Sequence, residues 1–163
     1  MKPFKIRHLN RSDTDSLLAF ELRNREWFES HIDARDPTFY SSLGVAEHIQ
    51  GYLADFALGV WHPFVIEDVS GEIIGRANLK DINLPERCAE VGYRIDHAAC
   101  GKGLATLALK HLIEEARSRG LTQLVAYVFK ENLGSMKVLE RCGFQLEPPL
   151  DDEAAESRFV LFL

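Results

Sequence analysis

The stretch Cys100-Gly101-Lys102-Gly103-Leu104-Ala105-Thr106 combines residue types and spacing that suit chemistry. Two glycines one residue apart let a backbone turn tightly and approach a ligand closely. A helical apolar pattern starts at Leu104, so the loop opens a helix. The first N–H groups of a helix lack internal partners, and the helix dipole places partial positive charge there. That arrangement suits a phosphate or pyrophosphate, and Lys102 adds a positive charge. The same pattern also fits a plain glycine turn before a buried helix. A P-loop requires Lys followed by Ser or Thr; Gly103 follows Lys102, which excludes that class. The dinucleotide fingerprint is met only at Gly101 and Gly103, with Thr106 in the third glycine position. It comes too late in the chain to leave room for a doubly wound domain, which argues against NAD.

The elements around this loop must position it. Ala89 to Ile95 reads as the preceding strand. Leu104 to Arg119 is a helix with a broad apolar stripe through Leu107, Ala108, Leu112, Ile113 and Ala116, stopped by Gly120. Leu121 to Phe129 is apolar on both alternating sets, which predicts a strand covered on both faces. Asn132 to Arg141 is a short helix ended by Gly143, and Phe144 to Glu147 and Ser157 to Leu163 form a last strand pair. The acidic run Asp151-Asp152-Glu153 with Glu156 is the solvated loop between them. In the first half, Lys5 to Leu9 is a strand, and Ser12 or Asp13 caps a helix bearing Leu17, Leu18, Leu22 and Trp27. Asp36-Pro37 breaks the pattern before a second helix, Val45 to Leu58. Pro63 to Val69 and Glu72 to Leu79 form a hairpin about Ser70-Gly71. The order is βααβββαβαββ. A strand–helix–strand unit at 89–129 implies one parallel pair with a right-handed crossover, and the other neighbours read as antiparallel. The expectation is an α/β (α+β) fold: a mixed, mostly antiparallel sheet with helices on both faces.

The chain has 163 residues, one domain's worth, so 1–163 is read as a single domain. Apolar residues make up 46% and charged residues 27%, which excludes a disordered or collagen-like chain. The 19 basic and 25 acidic residues give a net charge of −6, the wrong sign for broad binding to DNA. An acidic groove would suit a cationic substrate. Three cysteines without Cys-x-x-Cys spacing, and six scattered histidines, point to no metal and no disulfide framework. The start Met1-Lys2-Pro3-Phe4-Lys5-Ile6-Arg7 has no apolar signal core, and no stretch approaches ~18 apolar residues. The expectation is a soluble cytoplasmic protein with no membrane partner and reduced thiols.

The glycine loop, taken with Glu90-Val91-Gly92-Tyr93-Arg94-Ile95-Asp96 before it, resembles the central motif of the GNAT superfamily of acyl-CoA-dependent N-acetyltransferases. Asn132-Leu133-Gly134-Ser135-Met136-Lys137-Val138-Leu139-Glu140-Arg141-Cys142-Gly143-Phe144 supports the resemblance. This second block, with Glu21-Leu22-Arg23-Asn24-Arg25-Glu26, is similar to the branch containing the ribosomal-protein alanine N-acetyltransferases.

The resemblance implies a GNAT-like sheet whose central strands, Ala89 to Ile95 and Leu121 to Phe129, splay apart. Acetyl-CoA is the implied cosubstrate, with its pantetheine arm in the gap along Tyr93, Arg94 and Ile95. Its pyrophosphate would sit on Cys100, Gly101, Lys102, Gly103, Leu104, Ala105 and Thr106. Asn132 would contact the pantetheine or cap the next helix, and Lys137 would face the nucleotide phosphate end. Two departures stand out. Cys100 takes a position where the family usually has Gln or Arg; it reads as an inert small residue or as a thiol acidified by the helix start. Leu139 takes the place of a Tyr that many members use to protonate the leaving thiolate, which makes Ser135 the matching polar candidate.

Glu90 is the expected general base and Ser135 the group that orients the thiolate and relays a proton. Asn24, Arg25 and Trp27 are the expected acceptor-side residues, although Trp27, Phe28, Phe39 and Tyr40 also fit plain core packing. The acceptor is expected to be a primary amine, first of all a protein N-terminal Ala or Ser. The alternatives are a small-amine acetyltransferase acting on a polyamine or aminoglycoside, or a non-catalytic acyl-CoA-binding module. Monomer and homodimer both stay open.

Overall fold

The computed structural model describes residues 4–148 and 154–163, so the acidic run at 151–153 lies outside the described residues. The strands are β1 (Lys5–His8), β2 (His62–Glu67), β3 (Ile73–Asn83), β4 (Cys88–Ile95), β5 (Gln123–Phe129), β6 (Gln145–Leu146) and β7 (Glu156–Phe162). The helices are α1 (Thr14–Arg23), α2 (Arg25–Glu29), α3 (Ser42–Ala57), α4 (Leu104–Ser118) and α5 (Leu133–Arg141). Among the described residues no helix is long and apolar enough to cross a membrane.

The seven strands form one sheet in the order β1-β2-β3-β4-β5-β7-β6. All neighbours are antiparallel except β4 and β5, which are parallel and joined by the α4 crossover. Alternation along the strands splits the apolar residues between the two faces. Phe64 and Ile66 of β2 join Ala89 and Val91 of β4 under α4, whose Leu104, Ala108, Leu109, Leu112 and Ala116 are buried there. Val65 and Ile73 turn to the opposite face and pack with Leu17, Phe20, Phe28, Val45 and Ile49 from α1, α2 and α3. This is the mixed, mostly antiparallel GNAT-type sheet with helices on both faces.

The splay is visible in the register. β4 and β5 pair only at Cys88–Gln123, Ala89–Leu124 and Glu90–Val125. β3 holds the far side of β4 as far as Ile95, and β7 holds the far side of β5 as far as Phe129. The edge of β4 that faces β5 is therefore without a strand partner from Val91 to Ile95.

The structure corrects three local expectations. The first helix is two: the chain bends at Asn24, whose φ of −107° and ψ of 8° leave the helical region, so the order begins βααα. Asp13 is the N-cap residue of α1, as expected, but its side chain does not bond the first turn of α1; Asn10 caps the 3-10 turn Arg11–Asp13 before it, accepting from Ser12 N while Asp13 Oδ2 accepts from Asn10 N. β5 is covered on one face only, through Leu124, Ala126 and Val128, while Tyr127 is 49% exposed. Tyr127 and Phe129 of its second apolar set border a cavity instead of a core.

Candidate active site

The gap between β4 and β5 opens into a cleft of about 630 Å³. One wall is Tyr93, Arg94 and Ile95 of β4; the other is Asn132, Ser135 and Val138 around the start of α5. The glycine loop closes one end. Gly101 has φ 82° and Gly103 φ 78°, left-handed values that an L side chain resists. Gly103 is the N-cap of α4 and offers no side-chain acceptor, so the first-turn N–H groups stay available to a ligand. Cys100, Gly101, Gly103, Leu104, Ala105 and Thr106 all line the cleft. The donors fit a pyrophosphate and the open β4 edge fits an extended amide-bearing arm, so the residues present suit CoA.

Tyr93 and Ser135 meet across the cleft. Tyr93 Oη lies 2.8 Å from Ser135 Oγ. Asn132 Oδ1 accepts from Ser135 N at 3.2 Å, capping α5 and fixing the serine in its first turn. Burial raises the Tyr93 phenol above its ordinary pKa, only partly offset by the bond to Ser135. Leu139, in the position where many family members have Tyr, is fully buried against the core.

A second chamber of about 350 Å³ joins the first at Tyr93, Arg94, Asn132 and Ser135. Its floor is the β3–β4 ladder, where register sets Arg76 opposite Arg94, Asn78 opposite Gly92, and Lys80 opposite Glu90. Burial raises the Glu90 pKa, Lys80 opposes the rise, and Asp81 and Glu156 add to it. Below the floor Glu21 is sealed from solvent and holds Arg76, Arg94 and Arg35 at 3.2, 3.3 and 3.4 Å. Arg76, Arg35, Tyr52, Asn78 and Lys80 escaped the sequence reading, and Arg94 was expected only along the pantetheine arm. Only strand register, invisible without the fold, brings the β3 residues to this wall.

Several expected site residues lie elsewhere. Asn24 is only 1% exposed. Its Nδ2 donates to Phe20 O, and its Oδ1 accepts from His97 N, so the amide braces the turn before the glycine loop. Arg25 pairs with Glu29 and lies over the Tyr40 ring, outside both cavities. Trp27 does line the cleft, stacked on His97 with centroids 3.9 Å apart and planes 8° from parallel. Lys102 and Lys137 are exposed and line neither cavity. Lys137 is two residues from Ser135 and so faces away from it, whereas Val138 and Arg141 follow at helical spacing and do line the cleft. The Cys100 thiol is raised, by burial first and then by the Asp96 charge, so the helix start does not acidify it.

The model of the Acetyltransferase (GNAT) domain family matches residues 4–145. The chain belongs to the GNAT family of N-acetyltransferases. This GNAT domain is 31% identical over 149 residues to the Bacillus subtilis protein named "Probable N-acetyltransferase YjcK", covering 90% of this chain and 82% of that one. Among solved structures it resembles the ribosomal-protein-S5-alanine acetyltransferase of Vibrio fischeri, with a TM-score of 0.87 and 23% identity over 98% of this chain and 92% of that one. It also resembles RimL, a ribosomal L7/L12 alpha-N-protein acetyltransferase solved with coenzyme A. There the TM-score is 0.89 at 20% identity, covering 100% of this chain and 96% of the other. At these identities the two structures speak for the fold.

Proposed function

We propose that this GNAT domain transfers the acetyl group of acetyl-CoA to a primary amine where the two cavities meet. The observation that carries the reading is the end of β4–β5 pairing after Glu90, which leaves an open strand edge between a glycine loop and a carboxylate. The open β4 edge takes the pantetheine amides as an added strand would, and the first turn of α4 with Gly101 and Gly103 takes the pyrophosphate. A β4 N–H polarises the thioester carbonyl. Glu90, its pKa raised by burial, accepts the proton that the acceptor ammonium must lose, directly or through water. The amine nitrogen then bonds to the acetyl carbon as the carbon–sulfur bond breaks, and it sheds its second proton to water, to which Glu90 also returns the first. Ser135 Oγ passes a proton to the departing sulfur and takes one from Tyr93 Oη, which burial keeps protonated at neutral pH. The phenolate regains its proton from solvent as products leave.

The acceptor we favour is a protein N-terminus beginning with Ala or Ser, supported by the likeness of shape to two proteins named for ribosomal-protein acetylation. The test is CoA release from acetyl-CoA with Ala- or Ser-terminated peptides, the same peptides N-terminally blocked, and spermidine. Release with the free peptides and none with the blocked ones supports the reading. Release only with spermidine would overturn the acceptor, and no release with any amine would overturn the transfer.

A further inference from the structure

The chain carries a net charge of −6, yet the wall of the second chamber is locally cationic. Arg76, Arg94 and Arg35 surround the single carboxylate of Glu21. The neighbouring His48 brings no negative charge: its Nε2 lies 2.8 Å from Arg76 Nη2 and accepts from it. Burial first, then the charges of Arg76, Arg35 and Arg94, lower the His48 pKa to about 2, so the ring is neutral. Three guanidiniums thus face one carboxylate. Arg76 is sealed in the floor with only 2% of its side chain exposed, but Arg94 and Arg35 reach the chamber with 22% and 19%. Arg35 Nε is buried and lies 3.4 Å from Glu21 Oε1 without hydrogen-bond geometry, and burial and its two arginine neighbours, against Glu21, bring the Arg94 pKa down to about 10.

Among the described residues, the other charges facing the chamber sit apart from this pole. Lys80 and Glu90 share a rung four residues along β4, about 14 Å away at ~3.4 Å per residue. Asp33 and Glu156 are exposed at the rim. Between the two poles Asn78, 8% exposed, lines the chamber with its Oδ1 unpartnered, an acceptor left for an N–H. Opposite it stands Gly92, where any Cβ would come within 2.5 Å of Lys80 Cε.

We propose that the acceptor is a primary amine bearing a carboxylate, with its nitrogen toward Glu90 and Asn78 and its carboxylate on Arg94 and Arg35. This rests on the transfer reading above and narrows its acceptor. Guanidiniums hold carboxylates through paired, charge-assisted hydrogen bonds. A polyamine would set its extra cations against the same arginines. The carboxylate can come from an acidic residue following the N-terminal one in a peptide or from a free amino acid, and the assay separates the two.

The experiment measures kcat/KM for matched peptides with Ser-Glu, Ser-Gln and Ser-Lys starts, for free glutamate, and for spermidine. The expected order is Glu over Gln over Lys, with at least about a tenfold step from Glu to Gln, and either Ser-Glu peptide or glutamate as the best substrate. Arg35→Gln should shrink the Glu-to-Gln step mainly through KM, and Arg35→Lys should restore part of it. Equal rates for the Glu and Gln peptides, or spermidine as the best acceptor, would overturn the proposal. Binding of the Ser-Glu and Ser-Gln peptides to the CoA-bound protein is measured in parallel. Tighter binding of Ser-Glu without CoA release supports carboxylate docking and overturns only the transfer reading; equal binding overturns the docking.

Discussion

Tyr93 Oη and Ser135 Oγ are 2.8 Å apart, and that single bond ties the open strand β4 to the first turn of α5 across the cleft. The phenol belongs to the strand the acyl donor would follow, and the hydroxyl belongs to a helix turn fixed by Asn132. If the two form one relay, Ser135→Ala and Tyr93→Phe should each lower kcat by about a hundredfold, the lower end of the range for positioned proton donors. The double variant should then lose little more than either single one. Losses that multiply in the double variant would show two independent roles.

Glu90 should govern activity and stability with opposite signs. Its carboxyl titrates above the ordinary range, so the base form, and with it kcat/KM, should grow as pH rises through that higher value. The fold favours the protonated carboxyl, so its contribution to stability is complete below the unfolded pKa and is lost as pH rises through the folded one. Glu90→Gln should therefore flatten the acid limb of the pH–rate profile and raise the melting temperature at neutral pH. An unaltered acid limb would remove Glu90 as the base.

Asn24 is expected to matter for stability. Asn24→Leu leaves His97 N–H without its acceptor, a loss of about 1–3 kcal/mol. At ~2–4 °C per kcal/mol that lowers the melting temperature by roughly 2–12 °C. Acetyl-CoA affinity should also fall, because Asn24, the Trp27–His97 stack and the Arg23–Asp96 ion pair together anchor the segment leading into the glycine loop. A full-strength melting transition in Asn24→Leu would contradict this.

Acid should loosen the protein through its neutral histidines. Burial and adjacent arginines hold His62 at about 3 and His48 at about 2, against 6.5 for a free imidazole. Their contribution is complete above 6.5 and drains away as pH falls from there toward the folded values, because the unfolded chain binds the extra protons. His48→Gln keeps an acceptor for Arg76 and removes one titration. Its acid-unfolding midpoint, followed by circular dichroism, should move to lower pH.

The nucleotide end can be checked by thermal shift. Acetyl-CoA or CoA at 100 times its dissociation constant should stabilise by ~2.7 kcal/mol, roughly 5–10 °C, whereas NAD should give no shift. Gly103→Val, which forces a branched side chain onto a φ of 78°, should abolish the CoA shift.

Local pattern carried much of this into the sequence. The stripe from Leu104 to Ala116 marked α4, and the glycines at 101 and 103 marked the loop that lines the cleft. Asn132 was legible as a helix N-cap, which the structure shows accepting from Ser135 N, whereas Ser135 was named through the family resemblance alone. Lys137, expected from the resemblance at the nucleotide phosphate end, is exposed beside the cleft without lining it. Asn24 and Arg25 were misjudged because the bend between α1 and α2 turns one inward and the other away. The arginine pole was illegible for a stronger reason: Glu21, Arg35, Arg76 and Arg94 come from separate parts of the chain and meet only through sheet register and the packing of α1.

Three rungs join the two halves of the sheet, and the last of them, Glu90–Val125, is the crotch of a wedge. The gape beyond it is set by where backbone pairing stops, so the room for an acyl chain is written in hydrogen bonds before any lining side chain is chosen. A change that let β5 zip one residue further along β4 would narrow the mouth while leaving every wall residue in place. Tolerance for longer acyl groups should then follow sheet pairing as closely as it follows the bulk of Val138 or Leu104.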